Sequence, residues 1–379
     1  MRPCLLLDLD WLDQNIAVLR KSIRAPKQFR VVAKSLPSVR LIEYIFNKAE
    51  TRALMAFHQP FLNLEAQAFP DSDILLGKPL PARSAQIFYE QHQGAFDPAR
   101  QLQWLVDTPE RVAQYVELSR ALGQRLRLNI EIDVGLHRGG VQTTETLHAM
   151  LSLIQAEPER VEFSGFMGYD PHVVKLPRLA GTIRELHDAV LERYRVYGDF
   201  TRQQFPGLWR KELTLNGAGS PTYRLYEKET LVNDLSVGSG LVKPTDFDLP
   251  TLRDHVPAFF IATPVLKVAN GLRLPELDGL SRLVRWWDPN QRRAFFIYGG
   301  YWKAKPESPV GLRNSGLYGR SSNQEMLVAS DSVELQIDDQ VFLRPTQSEG
   351  VMLEFGDLVV LRGGKIVDQW PVLAKGLVS

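Results

Sequence analysis

The amino-acid sequence predicts a (β/α)8 barrel joined to a second, mostly-β domain. Eight short apolar runs, each closed by a polar or glycine-rich end, recur over about 220 residues, close to the usual span of such a barrel. Stretches with helical spacing separate the runs. From about Pro250 onward the chain changes to short β-rich pieces between turn residues, without a long helical pattern.

Each apolar run is predicted to form one parallel strand. In order they are FRVVAKS (29–35), ALMAF (53–57), DILLG (73–77), QWLVD (103–107), LRLNIEIDVG (126–135), VEFSGFMGY (161–169), ELTLNGAG (212–219) and LVNDLSVGSG (231–240). A doubly wound sheet is the rival fold. It usually carries G-x-G-x-x-G after its first strand, and neither GAGSPT (217–222) nor GSGLVK (238–243) has that spacing, so the barrel is favoured.

Two helices between the apolar runs are predicted by clear sequence signals. PERVAQYVELSRALG (109–123) has Thr108 as its predicted N-cap and stops at Gly123. TTETLHAMLSLIQAE (143–157) has the same helical spacing.

The second domain is predicted from its β-rich pieces. They are AFFIATPVLKVA, SRLVRWW, RRAFFIYGG, SVELQI, QVFLRP, VMLEF and DLVVLRGGKIVDQWPVL. We therefore expect an N-terminal strand in 1–12, a barrel over 13–249 and a mostly-β domain over 250–379.

Composition excludes several classes of protein. With 45 Lys and Arg against 44 Asp and Glu, the charge gives no reason to expect nucleic acid or an acidic membrane surface as a partner. The single cysteine, Cys4, excludes an internal disulfide framework. Asp8 interrupts the first apolar run, and no run approaches a membrane span, so a cytoplasmic protein is expected.

Lys34 is unusual because it closes an apolar strand, at the barrel end where functional groups gather. Such a lysine either extends out of the core or is a placed reactive amine.

The glycine loops GAGS (217–220) and GSG (238–240) follow the last two strands, where barrels often bind phosphate. Ser220 or Ser239 can add a hydroxyl. Glycines also simply make tight turns. A phosphate cradle together with an amine suits pyridoxal phosphate, with Lys34 as its Schiff-base partner.

Two further strand ends carry polar side chains. EIDVGLHRGGV (131–141) brings Glu131, Asp133 and Arg138 together, and Arg138 can hold an anionic oxygen or serve only local salt bridges. FMGYDPH (166–172) ends with His172, which is either a structural histidine or a proton acceptor.

Five stretches resemble the D-threonine aldolase and D-serine dehydratase family, which has the alanine-racemase-like fold of pyridoxal-phosphate enzymes. They are RVVAKS, EIDVGLHRGGV, GFMGYDPH, LNGAGSPTY and LSVGSGLVKPTDFD. The resemblance covers most of the chain and implies a lyase acting on a D-amino acid or a β-hydroxy amino acid. It also implies a homodimer, with active sites between one barrel and the partner's β domain.

The resemblance assigns roles to individual residues. Lys34 matches the lysine that forms the Schiff base, and Arg138 an arginine near the cofactor's phenolic oxygen. Tyr169 and His172 match the M-G-Y-x-x-H pattern, in which the histidine is a base near the substrate's β-hydroxyl. The residues expected to bind the cofactor are Lys34, Arg138, Tyr169, Asn216, Gly219, Ser220, Gly238, Ser239 and Gly240.

The sequence departs from that family at the metal motif of the β domain. The family pattern is P-x-H-x-C or P-x-H-x-D, whereas RPTQSEG (344–350) has Gln347 and Glu349 in those places. His255 is the only histidine of this domain and Cys4 is the only cysteine of the chain, so the domain lacks the several nitrogen or sulfur ligands that a zinc site needs. Oxygen ligands could hold Mg²⁺ or Mn²⁺. The preferred interpretation is that no metal binds and that Gln347 and Glu349 contact substrate.

The reaction stays open among several alternatives. Retro-aldol cleavage would use His172 as base, and β-elimination would use Lys34 to remove the Cα proton. Racemisation would need a second base, for which the β domain offers tyrosines at 298, 301 and 318. A non-catalytic carrier of pyridoxal phosphate is less expected, because it gains nothing from a second domain. A glycosidase using Glu131 and Asp133 is disfavoured, since its two carboxylates usually come from different strands.

Overall fold

The structure is a computed structural model that describes residues 2–271, 283–284, 286–316 and 318–373. The chain forms two compact units. One contains the segment 16–241 and the short stretch 249–253. The other contains the described residues up to Asn15, residues 242–248 and the described residues between 254 and 373.

The first unit is a closed barrel of eight parallel strands, as the sequence predicts. Numbering in chain order begins with β1 (Cys4–Asp8), which lies in the other unit. The barrel strands are β2 (Gln28–Val32), β3 (Ala53–Ala56), β4 (Asp73–Leu76), β5 (Leu102–Val106), β6 (Leu126–Glu131), β7 (Val161–Met167), β8 (Thr214–Gly217) and β9 (Asp234–Val237). Neighbours in sequence pair in parallel, and β9 pairs back to β2 with Gln28 opposite Asp234. The closed ring excludes the doubly wound alternative.

The helices alternate with these strands until the last two. They are α1 (Leu9–Ser22), α2 (Val39–Ala49), α3 (Gln59–Ala68), α4 (Ala82–Gln91), α5 (Pro98–Gln101), α6 (Pro109–Leu122), α7 (Thr144–Ala156) and α8 (Ile183–Gln204). Directly after β8 and β9 the chain makes only short 3-10 turns, Tyr223–Tyr226 and Ser239–Leu241. The connection between β8 and β9, residues 218–233, therefore contains no α-helix.

The predicted helix ends are confirmed. The Thr108 side chain accepts a hydrogen bond from the Arg111 backbone N–H at 3.1 Å, and Gly123 ends the helix at φ +62°. Thr143 caps α7 in the same way as Thr108 caps α6.

A buried arginine fills the amino-terminal end of the barrel. Arg30 is 2% exposed, and its guanidinium donates to the carboxylates of Asp234 and Asp73 at 2.7–3.1 Å. Its remaining donors bond the backbone carbonyls of Leu54 and Asp73. All five N–H donors of the side chain are therefore used. Burial alone would lower the pKa of Arg30, but the two carboxylates outweigh it and hold that pKa above its usual value.

The second unit is built on a mixed sheet. The strand β1 lies in this sheet between β10 (Phe259–Ala269), to which it is antiparallel, and β16 (Leu358–Arg362), to which it is parallel. The other strands are β11 (Arg293–Tyr298), β12 (Ala304–Ser308), β13 (Arg313–Asn314), β14 (Gln324–Ala329), β15 (Gln340–Pro345) and β17 (Lys365–Trp370). Helix α9 (Ser348–Phe355) precedes β16.

Two of the β-rich pieces are corrected by this structure. VMLEF forms the end of α9, because a run of five apolar-rich residues has no periodicity that separates helix from strand. SVELQI is not a strand: Val333 and Leu335 are buried as its alternation predicts, but a turn at Asp338 (φ +73°) follows. SRLVRWW lies partly outside the described residues. None of the helices in the described ranges is both long and apolar enough to cross a membrane.

Candidate active site

Lys34 lies at the carboxyl end of the first barrel strand, in the 3-10 turn Ala33–Ser35 that follows β2. The side chain is half-buried, and its Nζ lies 4.5 Å from the centre of the Phe57 ring. Phe57 is packed over Gly77, where an added Cβ would lie 2.2 Å from the ring. The ring is thus held in place beside the amine, which lies over its face.

The turn that carries Lys34 packs directly against the loop after β9. A Cβ built on Gly238 would lie 2.8 Å from the Cβ atoms of both Ser35 and Val32, which is too close for any side chain. Glycine at this position therefore permits the close approach of the two backbones.

The two glycine loops converge on the hydroxyl of Ser220. Its Oγ accepts hydrogen bonds from the backbone N–H groups of Gly238 and Gly240, each at 3.0 Å. A hydroxyl that accepts two bonds still has its own hydrogen to donate. A Cβ on Gly240 would lie 3.0 Å from that of Ser220. The Ser220 hydroxyl, which retains its own hydrogen near the Lys34 turn, is a donor that fits a small anionic group attached to an aldehyde. Ser239 lies between the two glycines and is half-buried.

Two other predicted cofactor residues have different surroundings. The amide nitrogen of Asn216 donates inside the barrel to the Asp234 carboxylate and, at 2.8 Å, to Ser236 Oγ. The N–H of Gly219 donates to Thr222 Oγ1 at 3.1 Å. These N–H donors bond within the protein, as those of Gly238 and Gly240 also do, and contact of Asn216 and Gly219 with the cofactor stays a prediction.

Tyr169 and Arg138 form a stack at the mouth. The Tyr169 ring covers Gly219, where a Cβ would lie 2.7 Å from the ring. The Arg138 guanidinium lies 5.0 Å from the Tyr169 ring centre, and the arginine side chain is exposed. Burial raises the pKa of Tyr169, although Arg138 opposes the shift, so the phenol stays protonated at neutral pH.

The loop after β6 is organised by Asp133. Its carboxylate accepts from the backbone N–H groups of Gly135 and His137 and lies 2.7 Å from His137 Nδ1. Burial would raise the pKa of Asp133, but these hydrogen bonds outweigh it and lower the pKa. Asp133 thus stabilises the turn that presents Arg138.

Glu131 lies at the end of β6 and has an unusual protonation equilibrium. Burial, followed by the neighbouring carboxylates of Asp107 and Asp133, raises its pKa to about 7 against the opposing effect of Arg138. The carboxyl group therefore titrates near neutral pH.

One ring nitrogen of His172 has no hydrogen-bond partner in the described part of the chain. This nitrogen is Nδ1, and it is buried. Burial, and next the nearby Arg193, lower the pKa of His172, so the imidazole is neutral at pH 7 and can accept a proton. Arg193 and His172 both lie against Gly135.

Sequence reasoning missed Phe57, Arg193 and Thr222 as parts of this site. Phe57 offered a signal, because it follows the second barrel strand directly. Arg193 lies on α8, far along the chain from the loops it approaches, and the sequence pattern gave no signal for it.

Gln347 and Glu349 lie in the other unit, at the start of α9. Gln347 occupies the N-cap position and Glu349 the first turn. Within the described ranges, no group of three or more His, Cys, Asp or Glu side chains could hold a metal ion.

The closed barrel and the mostly-β unit define the alanine-racemase-like class of pyridoxal-phosphate proteins. The chain belongs to the family described as alanine racemase, N-terminal domain, whose model matches residues 7–242. Pyridoxal phosphate is the cofactor expected for this family.

Curated and solved relatives cover nearly the whole chain. A 3-hydroxy-D-aspartate aldolase from Paracoccus denitrificans is 23% identical, over 99% of this chain and 92% of its own. The structure of D-threo-3-hydroxyaspartate dehydratase from Delftia sp. HT23 superposes with a TM-score of 0.76 at 15% identity, covering 98% of this chain and 97% of that one. The structure of D-threonine aldolase from Filomicrobium marinum superposes with a TM-score of 0.73 at 18% identity, covering 99% of this chain and 96% of that one.

Proposed function

We propose that this protein is a pyridoxal-phosphate-dependent lyase that cleaves or dehydrates a β-hydroxy D-amino acid. The observation that carries the proposal is the packing of the Lys34 turn against a loop whose N–H groups converge on Ser220. The curated relative that aligns with 99% of the chain is named for an aldolase of this class.

The chain's own groups supply the binding site in this proposal. Lys34 offers the amine for the cofactor aldehyde, and Ser220 with the backbone of 238–240 offers donors for its phosphate. Arg138, stacked on Tyr169, offers a guanidinium to an anionic oxygen.

Bound pyridoxal phosphate supplies an electron sink for the negative charge left at the substrate's Cα. The protein must then hold and move protons. In cleavage, neutral His172 accepts the proton of the substrate's β-hydroxyl. In β-elimination, Lys34 Nζ would accept the Cα proton, and the β-hydroxyl would leave Cβ as water after taking a proton from solvent. Gln347 and Glu349 are proposed to contact substrate without a metal.

Racemisation is the second candidate function. The matched family model describes alanine racemase, and the second unit exposes Tyr298, Tyr301 and Tyr318 as candidate second bases. A homodimeric assembly and a cytoplasmic location complete the proposal.

A product assay separates the reactions. The holoenzyme is incubated with D-threonine, 3-hydroxy-D-aspartate, D-serine and L-alanine. Aldehyde plus glycine supports the aldolase, and ammonia plus a keto acid supports the dehydratase. The mirror-image amino acid alone supports the racemase and contradicts a lyase. A protein that binds pyridoxal phosphate but converts none of these substrates would favour a carrier.

A chelator in the same assay tests the metal-free preference. Unchanged turnover is expected. Loss of activity that Mg²⁺ or Mn²⁺ restores would contradict it.

A further inference from the structure

Asp170 is a buried carboxylate in the loop after β7, between Tyr169 and His172, and the proposed function gives it no role. It is 0% exposed. Its Oδ1 accepts from Thr222 Oγ1 at 2.6 Å, and its Oδ2 accepts from the Tyr226 hydroxyl at 2.8 Å. Each carboxylate oxygen is thus bound to one hydroxyl.

The Thr222 bond continues into the loop that carries Ser220. Thr222 Oγ1 accepts from the Gly219 N–H at 3.1 Å while it donates to Asp170. The backbone N–H of Thr222 donates to the Gly219 carbonyl at 3.0 Å, which closes the turn around Ser220. A continuous path of hydrogen bonds therefore runs from this turn to the loop after β7.

The Tyr226 bond leads in another direction. The Tyr226 ring packs edge-on against His187 of α8, with ring centres 4.6 Å apart. One carboxylate therefore has two arms: the Thr222 arm reaches the Ser220 turn, and the Tyr226 arm reaches a helix packed outside the barrel mouth.

We propose that Asp170, acting through Thr222, is a positioning residue that fixes Ser220 at the point where the Gly238 and Gly240 N–H groups converge, and so sets the affinity for the cofactor's phosphate. The inference rests on the proposed function, because it assumes that these donors bind that phosphate.

The physical reason is the cost of leaving buried polar groups unpaired. Without the Thr222 hydroxyl, the Gly219 N–H and Asp170 Oδ1 lose their partners, and the turn must move to recover them. Ala218 makes the turn sensitive, because it holds φ +65°, a conformation that a residue with a side chain keeps only under constraint. A displaced Ser220 hydroxyl donates poorly to a fixed phosphate.

The two arms provide matched variants. Thr222→Val removes the hydroxyl on the path to Ser220 with nearly the same volume, Thr222→Ser retains it, and Tyr226→Phe removes only the other arm. Each protein is purified without cofactor and titrated with pyridoxal phosphate by absorbance. The phosphorus resonance of the bound cofactor is then recorded by NMR, and the Tm of each variant is measured.

Thr222→Val is expected to weaken pyridoxal phosphate binding about tenfold and to shift the phosphorus resonance, and Thr222→Ser to restore both. Tyr226→Phe is expected to lower the Tm with less than about a twofold change in affinity and an unshifted resonance. If Thr222→Val and Tyr226→Phe change affinity in proportion to their loss of Tm, Asp170 has only a structural role and the inference is wrong.

Asp170→Asn provides a second measurement, with affinity expected to fall as in Thr222→Val. If that variant does not fold, the comparison of Thr222→Val with Thr222→Ser still decides. Failure of the proposed function is distinguishable: in that case the unmodified protein itself would bind no pyridoxal phosphate.

Discussion

Polar groups at the two ends of the barrel differ in how fully they are hydrogen-bonded within the protein. At the amino-terminal end, Arg30 uses all five of its donors on Asp73, Asp234 and Leu54. At the carboxyl end, the buried Nδ1 of His172 has no partner in the described part of the chain, and Ser220 retains a hydrogen to donate. The first arrangement stabilises the closed ring, and the second leaves bonding capacity for a ligand.

Two residues in loops at the mouth hold left-handed backbone conformations. His137 and Ala218, in loops at the mouth, have φ values of +55° and +65°. Such residues cost free energy and persist where the surrounding structure constrains them, commonly at functional sites. The comparison therefore predicts that changes at the mouth impair chemistry and binding, whereas changes at the other end impair folding.

The largest expected effect on turnover is from His172→Asn. Loss of the proposed base should lower kcat about 10²- to 10⁴-fold with little change in Tm. Because the pKa of His172 lies below its usual value of 6.5, wild-type kcat/KM should fall only as the pH drops below that value, when the ring becomes protonated. The variant should lack this acid limb. If kcat/KM of the variant still falls at low pH as it does in the wild type, the fall comes from a different group.

Arg30→Met should show the opposite pattern. Removing the guanidinium takes the buried cation from Asp234 and leaves Asp73 its 3.4 Å ion pair with Arg127, and the free energy of unfolding should fall by about 3–5 kcal/mol. Protein that remains folded should bind pyridoxal phosphate normally. The control is Arg52→Met, whose exposed pair with Asp71 should be worth at most about 1 kcal/mol in urea unfolding. Equal losses would contradict the stabilising role of the buried network.

Gly238→Ala should have a smaller effect, on both binding and stability. The added methyl group meets Ser35 and Val32 at 2.8 Å, so the loop must move away from the Lys34 turn. We expect about 1–3 kcal/mol of lost stability and weaker binding of pyridoxal phosphate. Gly207→Ala, which has open space around it, is the matched control. Unchanged affinity in Gly238→Ala would show that this contact does not shape the site.

Much of the architecture could be predicted from the sequence because strand-and-helix alternation is a local pattern. All eight barrel strands and the caps at Thr108 and Gly123 have local signals of this kind. The position of Lys34 could also be predicted from the sequence, because residues at the carboxyl end of a barrel strand lie at the barrel mouth.

What the sequence could not supply depends on contacts between distant segments. Thr222 and Asp170 are separated by 52 positions, and nothing in either segment indicates their hydrogen bond. The orientation of Asn216 depends on Asp234 and Ser236, on the neighbouring strand. VMLEF was misassigned for a different reason, because its length suits a strand and a short helix equally.

The most direct test locates the cofactor on the chain. The protein is incubated with pyridoxal phosphate, reduced with borohydride, digested and analysed by mass spectrometry. We expect a visible absorbance band that reduction abolishes, with the cofactor's mass on the peptide that contains Lys34, and we expect neither in Lys34→Ala. Label on a different lysine, or a protein that takes up no cofactor, would contradict it.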